Sequence, residues 1–125
     1  MKKRVKGLPV VAEERKAVPV WSGFVMYFPD VFAAVAEVSR IGNEQHNPGE
    51  PLHWAREKST DQMDCTFRHM LDHAQGRRYD ADGGRHLAKA IWRLCAECQL
   101  DIEREHQDED LSGGAVGGAS GGSTS

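Results

Sequence analysis

The sequence predicts an all-α protein: a small helical bundle of three main helices, with an extended N-terminal arm and a disordered C-terminal tail. Three observations carry that prediction. Apolar residues recur with helical period in three separate segments. Each segment is bounded by capping or stop residues. The two ends of the chain have compositions unsuited to a packed core.

In the first segment Asp30 follows Pro29 and is placed to cap, and Val31, Ala34, Val35, Val38 and Ile41 then fall on one face until Gly42 ends the run. The opposite face carries Glu37, Arg40 and Glu44. In the second, Ser59 and Gln62 have capping-box spacing, Met63, Phe67, Met70, Leu71 and Ala74 form the apolar stripe, and Gly76 is the stop. Asp61, Asp64, Arg68 and Asp72 line its other side. The third starts after Asp80-Ala81-Asp82-Gly83-Gly84, repeats Leu87, Ile91, Leu94, Cys95, Cys98 and Ile102 on one face, and is expected to run about twenty residues before dissolving in acidic charge. Upstream, Pro9, Pro19 and Pro29 each disfavour helix in the residue before them, so Val18 to Phe28 reads as an extended arm or short strand. The expected organisation is a basic flexible N-terminus over 1–14, a helical domain over 15–107, and an acidic, then Gly/Ser-rich, disordered tail over 108–125.

The chain has 125 residues, 39 % apolar and 28 % charged, with a net charge of -3, the composition of one ordinary globular domain. That balance argues against a nucleic-acid polymer as partner. The basic start is followed by Pro9 and a Glu13-Glu14-Arg15-Lys16 cluster rather than an export signal, and no window approaches the roughly 18 apolar residues of a membrane span. A cytoplasmic protein with no membrane partner is expected. Three cysteines then imply reduced thiols, and Cys95 and Cys98, on the apolar stripe of the third helix, read as core residues. A core this small is expected to be completed by homo-oligomerisation, as a dimer or tetramer.

Asp61 and Asp64, at i and i+3, project from one helix face and suit a hard cation such as Mg²⁺ or Mn²⁺. Glu37 and Glu44 on the first helix could complete the cage, although Glu37 can also pair with Arg40, and Asp64 with Arg68. His69 and His73 have zinc-like i, i+4 spacing but lack a third ligand. His86 opens the third helix, where backbone donors can face an anion. The irregular connection Asn43 to Lys58 is dense in amides, imidazoles and cations. Arg56 and Lys58 can meet phosphates, Trp54 can stack on a base or pack into the core, and Asn43 or Asn47 can read a base or sugar edge. No P-loop and no nucleophile elbow is present in the sequence.

Taken in order, Val20-Trp21-Ser22-Gly23, Gly42-Asn43-Glu44-Gln45-His46-Asn47, His53-Trp54-Ala55-Arg56, Asp61-Gln62-Met63-Asp64, Arg68-His69, Asp80-Ala81-Asp82-Gly83 and His86-Leu87-Ala88 resemble small phage and prophage proteins of the dATP/dGTP diphosphohydrolase family. That family is similar to the MazG-like all-α nucleotide pyrophosphohydrolases. The resemblance implies hydrolysis of a purine deoxynucleoside triphosphate, dATP or dGTP, to the monophosphate and pyrophosphate, in the cytoplasm of a bacterial host if the gene is phage-borne. MazG-like enzymes carry metal ligands as an E-x-x-E pair and an E-x-x-D pair. Asp61-x-x-Asp64 matches the second with Asp for Glu, whereas Glu37 is followed by Arg40 and the next carboxylate is Glu44. On this reading Asp61, Asp64, Arg68 and His69 are catalytic, and Glu37, Glu44, Asp61 and Asp64 hold Mg²⁺ or Mn²⁺. Asn43, Asn47, Trp54, Arg56, Lys58 and His86 bind substrate. The alternative is a non-catalytic phage accessory domain that binds a nucleotide or a host protein, favoured by the incomplete first acidic pair. An HD-type phosphohydrolase ranks below both, because Asp72-His73 reverses the His-Asp order.

Overall fold

In the computed structural model, residues 7–114 are described, with side chains to residue 111. The first six residues of the expected basic N-terminus and the expected Gly/Ser tail from residue 115 onward lie outside the described residues. The elements are helical: α1 (Ala12–Lys16), a π-helical turn (Trp21–Val25), α2 (Pro29–His46), α3 (Gln62–Ala74) and α4 (His86–Gly114). Among the described residues there is no β-strand, only an isolated antiparallel bridge between Tyr79 and Arg85. The fold is therefore all-α. No single helix among them is long and apolar enough to cross a membrane.

The chain divides into two compact units, Met1–Ala33 and Ala34–Ser125. In the first, the segment expected to be an extended arm is helical instead. The Gly23 amide donates to the Pro19 carbonyl at 2.8 Å and Met26 donates to Trp21 at 2.9 Å, the i→i+5 bond of a π turn. Only glycine fits at position 23, since a Cβ there would lie 2.8 Å from Pro19 Cγ. Pro19 opens the turn, where its missing amide costs nothing. Phe24 packs edge-on against Phe28 and Phe32, with ring centroids 5.5 and 5.3 Å apart, an i, i+4, i+8 spacing that is itself helical.

In the second unit α2 does not stop at Gly42. A mid-helix glycine costs only about 1 kcal/mol relative to alanine, and the helix continues until the Asn47 amide closes its last turn on Asn43 and Pro48 blocks extension. Of the predicted apolar face, Ala34, Val35 and Val38 are half-buried and Ile41 is buried, whereas Val31 is exposed. α3 departs more sharply. Its buried face is Gln62, Cys65, Thr66 and His69, at i, i+3, i+4, i+7, while Met63, Phe67, Met70 and Leu71 are exposed. The expected capping box is not formed either: Asp61 occupies the N-cap with its carboxylate accepting from Cys65 Sγ instead of capping a backbone amide, and Ser59 and Gln62 both accept from Arg93. Gly76 ends the helix as expected, at φ +90°.

α4 packs chiefly on α3 and buries small residues, Ala88, Ala90 and Ala96. Cys95 and Cys98, expected in the core, are exposed, as are Leu94 and Ile102. The helix also runs past the expected boundary at residue 107, through the acidic segment to Gly114. Local pairs sustain it: Gln99 donates to Glu103 at 2.7 Å, and Arg104 lies within 4 Å of both Glu97 and Asp101.

Candidate functional site

The second unit carries a cavity of about 890 Å³, within the size range of small-molecule sites. It is walled by the C-terminal half of α2, the connection after it, and the polar faces of α3 and α4. Those faces explain the inverted burial of α3. Its polar stripe turns inward because it has polar partners there, which satisfies groups that would be costly to bury alone.

One wall holds the Asp80-Ala81-Asp82-Gly83-Gly84 loop. The Asp80 amide donates to the Gly84 carbonyl at 2.7 Å, and Gly83 sits at φ +86°, so the chain turns tightly and brings both carboxylates to one side. Lys89 Nζ, one turn into α4, donates to Asp80 Oδ2 at 2.8 Å and Asp82 Oδ2 at 2.6 Å. Gln45 Nε2 adds a bond to Asp82 at 3.1 Å. The Lys89 ammonium holds both carboxyls below the usual carboxylate range. Burial opposes the charge on Lys89, yet the two aspartates raise its pKa above the ordinary lysine value. A Cβ at position 84 would sit 2.7 Å from Lys89 Cε, so a larger residue there would push the Lys89 side chain aside.

Beside this group two buried imidazoles meet. His69 Nδ1 and His86 Nδ1 are 2.9 Å apart, so one donates and the other accepts. Burial first, then the positive charges of Arg68, His86 and Lys89, push the His69 pKa below that of a free histidine, and Asp80 opposes them. His86 Nδ1 also lies 3.7 Å from Asp72 Oδ2. His69, Asp80 and His86 each offer a ligand atom within 4.8 Å of the others, a set able to hold a metal ion.

The cavity lining also carries cations. Lys58, Arg68 and Arg93 all line the cavity. Arg93 is held by neutral acceptors, Ser59 Oγ at 2.9 Å and Gln62 Oε1 at 3.2 Å, and Arg68 reaches only the Cys65 sulfur at 3.9 Å. Among the described residues none of the three forms a salt bridge with a carboxylate. Asn43 donates to the Glu50 carbonyl at 2.8 Å, but its own buried Oδ1 has no protein donor. Trp54, half-buried, packs edge-on against Trp92 with centroids 6.0 Å apart, and Trp92 Nε1 donates to Ser39.

Of the residues singled out in the sequence, Asn43, Asn47, Trp54, Lys58, Arg68 and His69 therefore share one cavity. Arg56 does not line it: its guanidinium lies 4.3 Å above the Trp54 ring and pairs with Glu103 at 2.6 Å. His86 stands behind His69 instead of on the cavity wall. The four carboxylates expected to cage a metal are not gathered. Arg40 bonds both Glu37 and Glu44 on an exposed helix face, and its hydrogen bond lowers the Glu37 carboxyl. Asp61 and Asp64 are exposed, and none of the four belongs to the metal-capable group found among the described residues. The donor set at His69, Asp80 and His86, two imidazoles and one carboxylate, fits a divalent transition metal better than Mg²⁺, which prefers oxygen throughout. The sequence reading missed Asp80, Asp82, Lys89 and Arg93 as site residues. The signal available was Asp80-x-Asp82 ahead of His86, Lys89 and Arg93, which recur at i, i+3 and i+7 along one helix face.

Residues 13–110 match the sequence profile of the family described as dATP/dGTP diphosphohydrolase, N-terminal. The chain belongs to this family. No curated relative and no solved structure matches it. The matched stretch holds every residue of the cavity wall, so the family's sequence pattern and the site coincide in this chain.

Proposed function

We propose that the chain is a divalent-cation-dependent pyrophosphohydrolase that converts dATP or dGTP to the monophosphate and pyrophosphate. The observation that carries this reading is the cavity wall of Lys58, Arg68 and Arg93, three cations without carboxylate partners around a space of small-molecule size. Arg93 is half-buried and Lys58 and Arg68 are exposed at the rim, and positive charge gathered in this way is stabilised by an anion, of which a triphosphate supplies several. Family membership names the purine deoxynucleotides as the class to test first.

In this account Lys58, Arg68 and Arg93 neutralise the phosphates and orient the chain of anhydride bonds, and the half-buried α3–α4 face excludes part of the surrounding water. Asn43 Oδ1 accepts a hydrogen from the nucleoside, Asn47 lies beside it, and the Trp54–Trp92 pair offers an aromatic surface to the base. Arg56 positions Trp54 rather than the phosphate. A bound divalent cation would draw charge from the phosphoryl oxygens and lower the pKa of the attacking water. The experiment is equilibrium binding of dGTP to the wild-type chain and to Arg93→Met. The expected outcome is at least tenfold weaker binding in the variant; equal affinity would remove the anion site from the account.

Self-association is part of the same proposal. The exposed stripe Met63, Phe67, Met70 and Leu71 on α3 is too apolar to face water along a whole helix, and a second copy of the chain is the occupant proposed for it. A cytoplasmic setting, within a bacterial host, accords with a free nucleotide as substrate.

A further inference from the structure

We infer that His69, His86 and Asp80 form a transition-metal site of two imidazoles and one carboxylate, selective for ions of the Mn²⁺ to Zn²⁺ series over Mg²⁺. The site borders the nucleotide cavity, but the inference does not depend on turnover or on the identity of the nucleotide.

Four observations converge on it. The two imidazoles are 6 % and 5 % exposed, so their nitrogens meet little bulk water. Their Nδ1 atoms face each other at 2.9 Å with room for one shared proton. Two nitrogens about 2.1 Å from a common ion and at right angles around it lie about 3.0 Å apart, so the pair is already spaced as neighbouring ligands. The Asp80 carboxylate completes a set whose ligand atoms lie within 4.8 Å of one another. His69 comes from the buried stripe of α3, His86 from the first turn of α4, and Asp80 from the tight loop between them. The three are thus fixed by the most closely packed elements of the unit, as a selective site requires.

The surrounding charges suit the exchange of one cation for another. Lys89 supplies positive charge to Asp80 and Asp82 together. When an ion takes Asp80, Asp82, itself held by the Gln45 amide, still accepts from Lys89, so binding does not strand the half-buried ammonium. Asp72, 3.7 Å from His86 Nδ1 and paired on its other side with Arg77, adds negative charge behind the site. Imidazole donors favour the later first-row ions, whereas Mg²⁺ holds its waters and binds oxygen.

The test is titration of the purified full chain, stripped by chelation, with Co²⁺, read by its visible absorbance. The proposal expects one Co²⁺ per chain, retained against a roughly hundredfold excess of Mg²⁺. His69→Gln, His86→Gln and Asp80→Asn each weaken binding at least tenfold, while His46→Gln and His53→Gln, on the same cavity wall, leave it within twofold. Displacement by Mg²⁺, loss of binding in the His46 or His53 variants, or no effect of the three ligand variants would overturn the site. Should a ligand variant fail to fold, Zn²⁺ titration of the wild-type chain followed through the imidazole nitrogens by NMR decides the matter. Shifts at His69 and His86 support the site, and two unperturbed rings contradict it.

Discussion

Lys89 is the residue on which the acidic loop depends. Its side chain is 14 % exposed and it joins Asp80 and Asp82, which would otherwise face each other across a half-buried gap. Lys89→Met is expected to destabilise the chain by about 1–2 kcal/mol, the scale of lost hydrogen bonds to charged groups. Because Lys89 holds both carboxyls below their ordinary range, its contribution is fully present above the unfolded carboxylate pKa of about 3.9 and is lost as pH falls through the folded values. Thermal melts in a chelating buffer should therefore show a gap between wild type and Lys89→Met at pH 6 that narrows below about pH 4; a gap independent of pH would assign Lys89 a packing role alone. By contrast Glu37, which among the described residues bonds only Arg40 on an exposed face, should tolerate Glu37→Gln with little change in the melting temperature. A Mn²⁺ titration that weakens in Glu37→Gln would restore it to a metal role.

At the scale of elements, α3 is the informative case. Its sequence carries two interleaved stripes of equal period, one apolar and one polar, and the hydrophobic rule assigns the apolar one to the core. The single chain buries the polar one, because Gln62, Thr66 and His69 find partners in Arg93, the backbone and His86. Periodicity was sufficient to find α2, α3 and α4, and Gly76 marked the end of α3, whereas Gly42, read as the end of α2, did not stop that helix. It could not say which face turns inward, since that depends on partners distant in sequence. The same limit hid the site. Asn43, Asn47, Trp54, Lys58, Arg68 and His69 were legible because their side-chain chemistry is unusual for a connector or a helix surface. Asp80, Asp82, Lys89 and Arg93 were not, because each looks like an ordinary charged residue until the turn at Gly83 and the packing of α4 bring them together. The segment from Pro19 to Phe28 was misread because its prolines suggested extension, although Phe24, Phe28 and Phe32 already carried helical spacing. The exposed stripe yields its own test. Phe67→Glu with Leu71→Glu should leave a folded monomer, and sedimentation should show wild type heavier than the variant at the same concentration; equal masses would leave the stripe without a partner copy.

For the whole molecule, family membership and site geometry point the same way from independent directions. The family profile spans residues 13–110. The geometry supplies a cavity with an unpaired cationic wall, an orphaned amide oxygen and an adjoining group of metal-capable ligands. The core that supports it is modest: among the described residues its buried apolar side chains are Ile41, Cys65 and three alanines. Ala88, 2 % exposed, has no room for growth, and Ala88→Leu should cost about 1–3 kcal/mol in a denaturant melt. The most direct test of the central claim is to incubate the purified chain with each dNTP and Mn²⁺ and to resolve the products by chromatography. The account predicts dAMP or dGMP together with pyrophosphate, abolished by chelation and by Arg93→Met. Intact nucleotide bound without turnover, or release of deoxynucleoside with intact triphosphate, would contradict it.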